Sequence, residues 1–160
     1  MRVLGIDPGY DRMGVAIIEK IAGSKEKLIF SDCLTTNKKE SFADRLFYLG
    51  QSVEKLITET KPEVMALEKV YVNNNQKTAS AISEVRGMLI YLAGIHKLKI
   101  FEYTPIEIKV TVTGYGGAKK DQVIEMVKLI TPINKEKIVD DEFDAIATGL
   151  TCLAREKLSF

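Results

Sequence analysis

The sequence predicts an α/β fold: a mixed sheet of five strands, three antiparallel and then two parallel additions, flanked by helices. Three observations carry this. Short apolar runs rich in β-branched residues, joined by turns, fill the first 35 residues. The apolar spacing then changes from strand-like runs to steps of three and four. Beyond that, short apolar strands alternate with helical patterns, as αβ units do.

The elements follow in order. Val3, Leu4 and Ile6 form the first run, which stops at the turn signal Asp7-Pro8-Gly9. Gly14 to Ile18 is the second, and after Gly23-Ser24 a third begins at Leu28-Ile29-Phe30. These three read as an antiparallel meander. Phe42, Leu46, Leu49, Val53, Leu56 and Ile57 mark a helix, with Ser41 and Asp44 as a capping box and Pro62 as its end. Val64-Met65-Ala66-Leu67 is a short buried strand that ends at Glu68, followed by the polar loop Asn73-Asn74-Asn75-Gln76. Thr78 to about Lys97 reads as a long helix with more than one apolar face, and Lys99 to Tyr103 as a strand. Thr104-Pro105 supplies a cap and a first-turn proline for a helix that runs to Thr113 and breaks at Gly114-Tyr115-Gly116-Gly117. Lys120 to Ile130 and Asp141 to about Lys157 are the last helices.

Length and composition bound the rest. A chain of 160 residues, 46% hydrophobic, fits a single domain over 1–160 with a core that needs no metal or disulfide staple. Cys33 and Cys152 have no metal-ligand spacing and read as reduced thiols of a cytoplasmic protein. No apolar run reaches membrane-spanning length, so no membrane partner is expected. His96 is the single histidine, which argues against a histidine triad or a multi-histidine metal site. It reads as an interaction with the end of its own helix.

Several carboxylates stand at suggestive places. Asp7 ends the first strand and Glu68 the fourth, so both leave the same sheet edge if those strands are neighbours. Asp141 and Asp144, at i and i+3, share one face at the start of the last helix, with Asp140 beside them. Each has an ordinary reading as well. Asp7 fits a turn residue, Glu68 a solvated strand end, and Asp140 and Asp141 helix caps. Taken together, four carboxylates suit hard divalent cations, which neutralise their repulsion and promote phosphodiester cleavage.

At this point the sequence resembles a known family. Leu4-Gly5-Ile6-Asp7-Pro8-Gly9 resembles the opening of the RuvC family of Holliday-junction resolvases. Glu68-Lys69-Val70-Tyr71 with Asn75, Thr78-Ala79 and Arg86-Gly87 resembles its second acidic motif and the helix after it. Tyr103-Thr104-Pro105, Lys109, Val112-Thr113-Gly114, Gly116, Ala118, Lys120 and Gln122-Val123 resemble a stretch specific to the family. Asp141-Glu142-Phe143-Asp144-Ala145-Ile146-Ala147 resembles its final DxxDAxA pattern.

The resemblance implies a ribonuclease-H-like fold and a structure-selective endonuclease that nicks four-way junction DNA in pairs during recombination and repair. It implies Asp7, Glu68, Asp141 and Asp144 as catalytic and metal-binding residues for Mg²⁺, two ions per site, with Mn²⁺ able to substitute. It also implies a homodimer, with the helix of Arg86-Gly87 at the interface, and a branch-migration motor as a further partner. Asp140 is then a cap or a neighbour of the ligands. Tyr71 falls where the family usually carries Phe, and an aromatic there can stack on an unpaired base or simply cover the core. Lys69 and Asn74 also depart from common family choices, which bears on cleavage preference. Lys109, Lys119 and Lys120 are candidate phosphate contacts, one of them near the reacting phosphate, against ordinary solvated lysines. The glycines at 114, 116 and 117 lack a P-loop setting and read as a turn that positions Lys119 and Lys120. The rivals are a related RNA-processing nuclease, a junction binder that does not cut, and an ATPase of similar topology.

Net charge is +1, but it is unevenly spread. Residues 1–68 hold 10 basic and 11 acidic groups, 69–120 hold 8 and 3, and 121–160 hold 5 and 8. A basic middle segment suited to phosphate is averaged with acidic flanks.

Overall fold

The described residues of this computed structural model are 1–69, 76–133 and 135–156. They form strands β1 (Arg2–Asp7), β2 (Arg12–Glu19), β3 (Lys27–Thr35), β4 (Val64–Glu68) and β5 (Lys99–Tyr103). The helices are α1 (Phe42–Thr60), α2 (Gln76–Ile95), α3 (Pro105–Thr113), α4 (Lys120–Ile130) and α5 (Asp140–Arg155). The sheet order is β3-β2-β1-β4-β5, so β1 lies at its centre. β1, β2 and β3 pair antiparallel, while β4 joins β1 and β5 joins β4 in parallel. This is the expected mixed sheet.

Strand alternation assigns each side chain to a face. Leu4 and Ile6 of β1, with Met65 and Leu67 of β4, pack under α1 and α2. Val3 of β1, with Val64 and Ala66 of β4, pack under α3, α4 and α5. Two-residue periodicity therefore puts Asp7 and Glu68, the last residues of their strands, on the α5 side. α5 lies directly on β1 and β2 because glycines let it. A Cβ on Gly5 would stand 2.3 Å from the Ala145 carbonyl oxygen, and one on Gly14 would stand 1.9 Å from that of Asp141.

The helix ends follow local chemistry. Ser41 accepts the Asp44 N–H at 3.2 Å, but the Asp44 carboxylate takes the Ser41 hydroxyl rather than the backbone. The expected box is thus half formed, because aspartate is one methylene shorter than the usual glutamate. Lys61 closes α1 in the left-handed region at φ 49° just before Pro62. Thr104 and Glu107 make a full box around Pro105, and Gly114 ends α3 at φ 79°. α2 carries apolar residues on two faces: Val85 and Leu89 are buried, whereas Tyr91 and Ile95 are exposed. His96 departs from expectation. Its ring reaches toward Glu54 of α1 at 3.6 Å, because α1 and α2 pack side by side. Among the described residues no helix is long and apolar enough to cross a membrane.

Candidate active site

The parallel pairing of β1 with β4 matches Ile6 to Leu67, so Asp7 and Glu68 emerge together one residue further on. Asp144 and Asp141 approach from the first turns of α5, held there by the close approach at Gly14. The acids feel one another. Burial, then the charges of Asp144 and Asp141, push the Asp7 carboxyl up to about 6. Burial, then Asp7 and Asp144, push Glu68 up to about 7, with Lys120 and Lys109 pulling the other way. Asp144 is also raised, chiefly by burial, with Lys120 opposing.

Two cations hold the acids of α5. Lys120 Nζ donates to Asp144 Oδ2 at 3.0 Å and lies 3.4 Å from Asp140. Arg12 donates to Asp141 Oδ2 at 2.5 Å. Among the described residues no three acidic, histidine or cysteine side chains converge tightly enough to enclose an ion as they stand. The donor set nevertheless fits a hard divalent cation, since every donor is a carboxylate oxygen and the crowded negative charge raises the acids. A cavity of about 210 Å³ adjoins them, lined by Glu68, Asp144, Lys109, Lys120 and Pro105.

The structure therefore brings Asp7, Glu68, Asp141 and Asp144 to one end of the sheet with Lys109 and Lys120. Lys119 is not drawn in. It precedes α4 at the N-cap position with its side chain exposed, and its backbone N–H donates to Gln122. Tyr71 lies outside the described residues. Asp140 is not the cap of α5. Glu142 accepts the Val139 N–H at 3.3 Å in that role, leaving Asp140 free to face Lys120. Reading the sequence missed Arg12, for which no local pattern exists. It also missed Gly5 and Gly14, although glycine inside a strand signals close backbone approach.

Three comparisons with known proteins bear on the family and the fold. The family described as crossover junction endodeoxyribonuclease RuvC matches residues 3–152. The chain belongs to the RuvC family. Relatives of that name include those of Finegoldia magna, 41% identical over all of this chain and 97% of the relative, and Rickettsia bellii, 40% identical over 96% and 97%. The T. thermophilus RuvC solved in complex with a Holliday junction substrate superposes with a TM-score of 0.89. It is 24% identical over 96% of this chain and 93% of its own, and it supports the ribonuclease-H-like fold. Membership makes the chain a nuclease acting on junction DNA.

Proposed function

We propose that this chain resolves four-way DNA junctions by hydrolysing one phosphodiester in each of two opposed strands. The observation that carries the reading is the meeting of Asp7, Glu68 and Asp144 beside Lys120 at one sheet end. RuvC-family nucleases are metal-dependent. In this reading Asp7, Glu68, Asp141 and Asp144 hold Mg²⁺, two ions per site, with Mn²⁺ as a substitute. When bound, such ions supply a nucleophilic water and neutralise charge on the scissile phosphate. Asp7, coupled to Glu68 on β4 and to the α5 acids, would hold an ion together with either group. Lys120 and Lys109 line the adjoining cavity and place fixed positive charge where the phosphate oxygens gain negative charge. Lys119 serves the DNA as an exposed phosphate contact, and Tyr71, outside the described residues, as a stacking aromatic.

The reading extends to a cytoplasmic homodimer, which sets two sites across the junction, and to a branch-migration motor that delivers the substrate. Exposed Phe47 and Tyr48 on α1, with Tyr91 and Ile95 on α2, support an apolar mating surface. The test is cleavage of a synthetic four-way junction with Mg²⁺, with nick positions mapped. Glu68→Gln is expected to bind the junction and to leave it uncut. Cleavage by Glu68→Gln at the wild-type rate would refute the site, and equal cutting of structured RNA would refute the substrate.

A further inference from the structure

Arg12 lies outside the acidic motifs, yet its guanidinium is the partner of Asp141. The segment that carries it is rigidly held. Arg45 of α1, 8% exposed, donates to Thr36 Oγ1 at 2.9 Å, to the Tyr10 carbonyl at 3.1 Å and to Asp11. The Arg45 guanidinium also stacks on the Tyr10 ring at 5.2 Å, and Thr36 N–H donates to the Asp11 carbonyl. Arg12 is therefore presented from a fixed turn, with its side chain half exposed and its guanidinium beside Cys33 as well as Asp141. On the other side of Asp141, the close approach at Gly14 fixes the backbone. The ion pair thus joins two anchored elements, and only the side chains can give.

We infer that Arg12 is a positioning residue that competes with a divalent cation for the Asp141 carboxylate, so that the Arg12 pair weakens metal loading. This rests on Asp141 being a ligand, as proposed above. The physical basis is competition for one carboxylate: Oδ2, engaged with Arg12 at 2.5 Å, already gives part of its charge to the guanidinium, and a cation that takes Oδ2 must displace it. An exposed ion pair of this kind is weak, so its removal corresponds to an affinity gain of up to about fivefold.

The test is Mg²⁺ binding by calorimetry, without DNA, for wild type, Arg12→Gln, Arg12→Lys, Asp141→Asn and the Arg12→Gln/Asp141→Asn double variant. Thermal melts establish that each variant is folded. Arg12→Gln is expected to bind Mg²⁺ two- to fivefold tighter, with Arg12→Lys closer to wild type. The gain is expected to vanish in the Asp141→Asn background. Unchanged affinity in Arg12→Gln overturns the inference. So does an equal gain in both backgrounds, which marks a general field effect of the lost charge. If Asp141→Asn alone leaves Mg²⁺ affinity intact, it is the ligand assignment that fails, an outcome distinct from the other two.

Discussion

Gly14→Ala tests whether the backbone approach of α5 to β2 sets the active site. A Cβ at residue 14 would lie 1.9 Å from the Asp141 carbonyl oxygen and 2.6 Å from its carbon. Ordinary contact begins at 3.4 Å, so the start of α5 must retreat by 1.5 Å. The obstacle is backbone, so no rotamer change relieves it. Asp141 moves directly and Asp144, one turn on, moves with it, while Asp7 and Glu68 stay with the central strands. Misplacement of about 1 Å costs on the order of 100-fold in rate, whereas overpacking costs about 1–3 kcal/mol in stability. Gly14→Ala should therefore fold, bind junction DNA and cut it at least about 100-fold more slowly, as measured by single-turnover cleavage. Cleavage by Gly14→Ala within a few-fold of wild type would refute the argument.

Other predictions follow from the same site. Asp7 and Glu68 are raised from 3.8 to about 6 and from 4.5 to about 7, so the folded state binds more protons than the unfolded chain across that window. In chelator, stability should then fall as pH rises from about 4 to 7. Added Mg²⁺ should restore it above pH 7, and melting curves that rise over that range would contradict the crowding of charge. Asp7→Asn removes one of the repelling charges and should melt higher than wild type at pH 8 in chelator while losing cleavage. Arg45→Met removes the bonds donated to Thr36, the Tyr10 carbonyl and Asp11 and should cost about 2–3 kcal/mol in urea denaturation, since a buried, hydrogen-bonded charge is lost. Lys119→Ala should weaken junction binding and lower the salt slope by about one contact, with the cleavage rate of the bound junction unchanged.

Much of this was legible because it is local. The caps at Ser41, Thr104-Pro105 and Gly114 mark helix ends in sequence, and they stand where the structure ends those helices. Asp7 and Glu68 could be placed at strand ends, and Asp141 and Asp144 on one helical face, from periodicity alone. His96 was misread because Glu54, which it faces, comes from another helix, and short-range rules assigned it to its own helix end. Of the two readings of Asp140, the cap failed, and its contact with Lys120 puts it beside the acids.

By itself, the sequence determined the order of strands and helices, the family to which the chain belongs, and which residue types carry negative charge. Those properties depend on side-chain period, turn chemistry and motif, all of which are read within a few residues. Tertiary structure decided that β1 and β4 are neighbours in parallel register, so that Asp7 and Glu68 meet. It also decided that α5 presses on β1 and β2 at Gly5 and Gly14, and that Arg12 and Lys120 each take hold of an acid of α5. These contacts join residues as far apart as Arg12 and Asp141, and they depend on how whole elements pack rather than on any spacing along the chain.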